Sequence, residues 1–259
     1  MLKLIYYILI LKNMFDILFA RTFAIVWVML LITAYSSYMN KKVDAKSGWG
    51  TIIMTFVLLF AVMIFSNSFP LNLVLVWLFS AVIWWMIAPW IRQMWDNYKA
   101  KKFLKEKGIT LKKWESLTDE QSVELVAYLE ANKSDEQWNR IVSQAMFSTA
   151  LAVFATASLV FVSDIDFSFM WMFLFISLLI LIIMWLLNIF IFKSRIFSLV
   201  KAYFWVLIFT GYLIYDFNTL EKMAWDESWG TAVNIAVNIY LDIINLFLYL
   251  LEILGGGDN

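Results

Sequence analysis

The chain has 259 residues, 63% of them apolar and 19% aromatic, with 20 basic and 20 acidic side chains that cancel. A soluble domain is about 45–50% apolar, so most of this chain faces lipid, and the cancelled charge removes the basic excess that a nucleic-acid partner requires. Histidine and cysteine are both absent, which excludes disulfides, thiolate zinc sites, iron–sulfur clusters, histidine-ligated haem and every His-dependent triad.

What remains for chemistry is carboxylates, hydroxyls, amides, Lys and Arg. That repertoire suits an integral membrane protein with no enzymatic activity and no bound cofactor. Residues 1–13 are apolar but too short to cross a bilayer, and they read as an interfacial N-terminal segment. A cleaved signal peptide fits poorly, because Lys12, Asp16 and Arg21 interrupt the run and no small-residue cleavage site follows. A spanning helix needs about 20 apolar residues for a hydrocarbon layer about 30 Å thick. Within residues 14–93 three segments qualify, 14–38, 50–67 and 70–92, the last two divided by a turn at Ser66-Asn67-Ser68-Phe69-Pro70.

Residues 94–140 form a polar insertion holding nine of the twenty acids and nine of the twenty basic residues. Gly108 is the expected breaker within it, and Thr118-Asp119-Glu120-Gln121 has capping-box spacing before a helix carrying Val123, Val126 and Leu129. Ser134-Asp135-Glu136-Gln137 repeats that spacing. A small helical hairpin on the membrane surface is expected, serving either as a solvated spacer or as a docking surface for a protein partner.

Residues 141–254 hold four more spans, 141–163, 167–192, 198–220 and 231–254, followed by a short tail, 255–259. Ser163-Asp164-Ile165-Asp166 forces a tight hairpin between the first two of these, and Lys193, Arg195 and Lys201 mark the next break. The expected fold is therefore all-α, a polytopic bundle of seven helices. Sixteen of the twenty Lys and Arg residues fall in the loops after spans one, three and five. The positive-inside rule then places the N-terminus outside and the C-terminus inside.

A charge at the bilayer centre costs roughly 2.5–3.5 kcal/mol on insertion scales, so it needs a reason. Asp242 sits in the middle of the last span. Asn234, Asn238, Asp242, Asn245, Tyr249 and Glu252 step by 4, 4, 3, 4 and 3 residues, which lines them along one helical stripe. A second intramembrane acid, Asp216, lies in Tyr215-Asp216-Phe217-Asn218 on the preceding span. Residue 229 is midway between the two aspartates. If both helices reach a turn there, each carboxyl lies about 20 Å from it at 1.5 Å per residue, and the two sit at one level.

Two carboxylates in contact in a low-dielectric site cannot both ionise cheaply, so they share a proton and titrate as a unit. Such a pair changes charge with pH without any histidine, and it attracts a divalent cation in place of the proton. Calcium prefers six to eight oxygens, so two aspartates with Asn238, Asn245 and water make an incomplete shell suited to passage rather than storage. The equal alternative is that the aspartates are protonated hydrogen-bonding glue between helices.

Tyr215-Asp216-Phe217-Asn218, followed by Ile239-Tyr240-Leu241-Asp242-Ile243-Ile244-Asn245-Leu246-Phe247-Leu248-Tyr249, closely resembles the C-terminal signature of the Bax inhibitor-1 family of transmembrane proteins. Ala145-Met146-Phe147-Ser148-Thr149, Asp166 to Trp171 and Asn188-Ile189-Phe190 resemble its fourth and fifth spans, so the likeness covers residues 145–254. The resemblance implies a seven-helix bundle with a central last helix, and a pH-sensing pair at Asp216 and Asp242. It also implies a proton-sensitive calcium leak, with calcium and protons as cargo and trigger. An arginine that pairs with one aspartate is implied near the end of an early span, for which Arg92 and Arg21 are the candidates. The family's other mode is non-transporting regulation, through a membrane protease or other membrane complexes. An intramembrane aspartyl protease also uses paired aspartates, but its Gly-Leu-Gly-Asp-type loop is missing here. The bacterial inner membrane is the default location and an organelle membrane the alternative.

Overall fold

The computed structural model describes residues 17–39, 48–109, 117–132, 135–187 and 195–256. The interfacial segment expected at 1–13 lies outside them, as do Ser134, Asn188 to Phe190 and Lys193. Among the described residues every regular element is helical: α1 (Ile17–Met39), α2 (Gly48–Ile64), α3 (Leu71–Glu106), α4 (Asp119–Ala131), α5 (Glu136–Val162), a 3-10 turn (Phe167–Phe169), α6 (Met170–Leu187), α7 (Arg195–Lys222) and α8 (Trp229–Gly256).

Six of these helices are long and apolar enough to cross a membrane, and α2 is shorter. The segment expected to span at 50–67 becomes helical only to Ile64, because residues 65–70 are consumed by the turn into α3. Asn72 holds that turn by donating from Nδ2 to the Ser66 carbonyl at 2.6 Å. Seventeen residues of helix reach about 25 Å, a few ångströms short of the hydrocarbon thickness.

The helices sort by what their faces touch. α8 packs against α7, α1, α5 and α3, whereas α2 packs chiefly on α3 and α6 chiefly on α7. Tyr240, Ile239, Leu246, Val233, Ala232 and Ala236 of α8 are fully buried. The outer helices instead present large apolar side chains: Phe56, Phe60 and Ile64 on α2, Phe147 and Phe154 on α5, Met172, Phe173 and Ile183 on α6. Exposed patches of this size suit lipid tails and not water.

Buried hydroxyls supply the directional contacts. The Thr33 hydroxyl of α1 lies 2.9 Å from the Met29 carbonyl, 3.1 Å from the Ser80 carbonyl of α3, and 2.5 Å from the Tyr240 hydroxyl of α8. With one hydrogen to give, Thr33 donates to a carbonyl and accepts from Tyr240, joining three helices at one point.

Beyond the bundle, α3 does not stop near residue 93. It continues through Pro89 and the Lys-rich stretch to Glu106 as one helix of 36 residues, about 54 Å long. Tyr98, Trp138, Ile141, Ala145 and Leu251 form a separate cluster that ties this extension to α5 and α8. Asp135, rather than Ser134, caps α5, accepting from the backbone N–H groups of Gln137 and Trp138. Burial pushes the Asp135 carboxyl up, but Lys102 at 2.5 Å and those two N–H groups outweigh it and hold it below the usual carboxylate range.

Removing the hydroxyl in Tyr240→Phe should lower stability by about 0.6 kcal/mol, and by no more than about 1.7 kcal/mol. Reversible unfolding in bicelles, with Thr33→Ala and the double variant completing the cycle, measures it.

Candidate functional site

Asp216 stands about six turns into α7 and Asp242 near the middle of α8, and both are buried. Their carboxyl groups lie within interaction range of each other. The helices reach this match unequally. α7 ends at Lys222, six residues past Asp216, while Asp242 lies thirteen residues into α8. At 1.5 Å per residue that leaves a difference of about 10 Å, which the linking residues 223–228 take up as turn and extended chain. Thr231 and the Ser228 backbone N–H both donate to Asp226, securing this link and holding its carboxyl low.

A hydrogen bond between two carboxyl groups requires a proton on one of them. Oδ2 of Asp242 is buried, and no N–H or hydroxyl group donates to it. An acceptor in that position is costly unless something occupies it in another state of the protein.

The polar stripe of α8 is not uniform along its length. Asn234 and Asn238 are exposed, Asp242 is buried, and Asn245, Tyr249 and Glu252 are half-buried. Asn245 turns its Nδ2 back onto the Leu241 carbonyl at 2.8 Å. Two turns beyond the aspartates, Tyr249 is packed among aromatic rings: Trp205 at 5.3 Å and Phe209 at 6.0 Å, both stacked, and Trp90 at 5.5 Å, edge-on. Along the stripe two exposed amides, the buried carboxyl and an aromatic cluster around Tyr249 therefore follow one another. Trp205, Phe209, Tyr212 and Asp216 step by 4, 3 and 4 residues along α7. That spacing is the signal by which the cluster is readable in the sequence beside the aspartates.

The remaining sequence candidates are placed elsewhere. Arg21 donates from Nη1 to the Glu227 carbonyl, and its guanidinium lies 4.6 Å from the Trp229 ring centre. It clasps the α7–α8 link at the end of the bundle. Arg92 is exposed on α3, two residues past the Trp90 that meets Tyr249, so it stands nearer the aromatic cluster than the aspartates. Tyr215 packs toward α6 beside Leu174 and Ile208. Lys201, expected at a break between spans, is buried within α7, within electrostatic reach of Glu252.

Asn218, two residues past Asp216, turns to the α5–α6 corner instead of to Asp242. Its Oδ1 accepts from the Phe167 N–H at 3.0 Å, and its Nδ2 donates to the Ser168 hydroxyl at 3.2 Å. Lys222 adds an ion pair to Asp166 at 2.5 Å and a hydrogen bond to Ser168. Together they pin the α5–α6 corner to α7. The Lys222 ammonium and the Ser168 N–H hold the Asp166 carboxyl well below the usual carboxylate range.

A family model described as inhibitor of apoptosis-promoting Bax1 matches residues 125–259, just over half of the chain and all of the α7–α8 pairing. The chain belongs to the Bax inhibitor family. Among curated relatives, the Golgi anti-apoptotic protein of Vaccinia virus (strain Lister) is 40% identical over 114 residues, 44% of this chain and 46% of that protein. Protein LIFEGUARD 1 of Arabidopsis thaliana is 38% identical over 119 residues, 44% and 49% of the two chains. Bax inhibitor 1 of Schizosaccharomyces pombe is 34% identical over 117 residues, 45% and 42%. The matched region spans about half the length of these Bax inhibitor relatives.

Asn218→Leu should leave the buried Phe167 N–H without its acceptor and cost about 1–3 kcal/mol. Thermal unfolding in detergent measures the loss, and hydrogen exchange should localise it to residues 163–169.

Proposed function

We propose that this Bax inhibitor family protein is a pH-sensitive cation leak or exchanger, with calcium as its cargo and the Asp216–Asp242 pair as its gate. The observation that carries this reading is the proximity of two buried carboxyls on neighbouring helices, with no N–H or hydroxyl group donating to Asp242 Oδ2. With one proton on the pair, the shared hydrogen bond joins α7 to α8. Loss of that proton sets two negative charges side by side in a low-dielectric site, where the contact is kept only if a cation takes the proton's place. Among the described residues no group of three or more acidic side chains gathers, so a calcium ion meets an incomplete shell and passes on.

Two further features support the gate. Asp166, Asp226 and Asp135 are held low by hydrogen bonds, so they lose charge only below the usual carboxylate range. A transition between pH 6 and 8 is therefore not theirs. The Tyr249, Trp205, Phe209 and Trp90 rings seal the passage beyond the pair, which suits a slow leak. In this reading α2 is the shortest member of a seven-helix bundle with α8 at its centre, and Arg92 is the better placed of the two arginines to act on the inner end.

The relatives favour a second reading, a non-transporting membrane regulator of cell death, because the vaccinia protein is named anti-apoptotic. Its name also includes the Golgi, which favours an organelle membrane over the bacterial inner membrane.

Calcium efflux from proteoliposomes at pH 6, 7 and 8 separates the readings. Native protein should show a pH-dependent flux, and Asp242→Asn should flatten that dependence. Absence of flux at every pH from folded protein removes the leak and leaves the regulator. Phe209→Ala with Tyr249→Ala should raise flux at all three pH values without moving the midpoint, since it opens the closure and leaves the carboxyls in place.

A further inference from the structure

Helix α4 uses only one of its faces to join the rest of the protein. Tyr128 meets Phe103 of α3 at 5.3 Å, Lys99 Nζ donates to the Leu129 carbonyl at 3.1 Å, and Lys107 pairs with Glu124. These contacts pair rising numbers on α3 with falling numbers on α4, so the two run antiparallel. Thr118 closes the outer end with a full capping box, its Oγ1 accepting from the Gln121 N–H and Gln121 Oε1 accepting from the Thr118 N–H. Leu125, Tyr128 and Leu129 are half-buried by the docking, and the opposite face stays outside.

That outer face is unusual in two respects. Val123 is 70% exposed and Val126 55% exposed, with Ala127 and Ala131 exposed beside them. Around this apolar strip stand Asp119, Glu120 and Glu130, all exposed, and residues 119–131 contain no Lys or Arg. Helices that lie on membranes carry Lys and Arg on their polar face, and anionic headgroups repel an acidic one. Height argues the same way. α3 follows α8 to its end, where Lys101 Nζ lies 3.5 Å from the Gly256 carbonyl. With about 54 Å of helix against about 30 Å of hydrocarbon, some 24 Å of α3 stands beyond the lipid core, and α4 rides on its outermost turns. A second copy of the same face would bring acid against acid.

We propose that the outer face of α4 docks a basic amphipathic helix of a partner protein. The apolar residues of such a helix, recurring every third or fourth position, seat against Val123 and Val126. Its flanking Lys and Arg residues meet Asp119, Glu120 and Glu130, which set orientation and speed of encounter. The arm holds this surface rigidly at a fixed height above the membrane. The proposal does not depend on ion passage.

The chain has no cysteine, so Ala127→Cys in the full-length protein takes a single environment-sensitive label on this face. The protein is placed in nanodiscs of zwitterionic lipid and titrated with a short helical peptide of Lys and Leu, amphipathic by design. A saturable blue shift is expected, absent with the matching Glu and Leu peptide. Either Val123→Ser with Val126→Ser, or Glu120→Gln with Glu130→Gln, should weaken it about tenfold, a loss of about 1.4 kcal/mol. An equal response in both variants, an equal response to the acidic peptide, or no response at all overturns the proposal. Quenching of the label by spin-labelled lipid before peptide is added shows that the face rests on the bilayer. A blue shift that grows with protein concentration alone shows self-association; either result also overturns it.

Discussion

Hydrocarbon offers no partner to a hydrogen-bonding group, and the arrangement of this protein follows from where its polar side chains must therefore go. α8 carries one row of amides and carboxyls through the apolar length of the molecule, and a helix of that kind is unstable against lipid. Packing it against α7, α1, α5 and α3 buries Asp242 and half-buries Asn245, Tyr249 and Glu252, and requires small residues at the approach. Ala232 and Ala236 meet that requirement. The helices farther out have no such row, and they turn Phe, Ile and Leu outward because nothing inside needs them.

Beyond the lipid the rules reverse. Water competes for every polar group there, and structure returns to caps, ion pairs and stacked rings. Asp135 starts α5, Thr118 starts α4, and Trp95, Tyr98 and Trp138 fill the wedge between α3 and α5. The five lysines between Lys99 and Lys107 look like the composition of a loop. Lysine is nevertheless a good helix former, and the acids of α4 and Asp135 neutralise much of the charge that would fray the helix.

Much of the fold and of the site was legible before any coordinates. The recurrence of polar residues every three or four positions in residues 234–252 identifies the buried helix, whereas the 216–242 spacing argument assumed that both helices reach residue 229, and α7 ends at Lys222. The Thr118 box and the Ser66–Pro70 turn are local chemistry, and local chemistry is what a sequence states most directly. Contacts between distant segments were not legible. Nothing near Asn218 says that its partners are Phe167 and Ser168, fifty residues away. Nothing near Arg21 says that it closes on Glu227 and Trp229. Val123, Val126 and Leu129 read as one face, yet docking on Phe103 buries the side with Tyr128 and leaves the valines outside, a choice made by the partner helix. The span boundary at 92 was misleading for the related reason that the apolar run ends there and the helix continues to Glu106.

One consequence of the long α3 is mechanical. A helix is stiff along its axis, so whatever bends or turns the arm outside the membrane is carried inward with little loss. Pro89 has no N–H to give, which removes one hydrogen bond from the ladder and makes that turn the softest in the rod. The next residue is Trp90, whose ring rests edge-on against Tyr249. The compliance of the rod is thus concentrated where it touches the aromatic cluster around Tyr249, and α3 is a lever with its fulcrum at that contact.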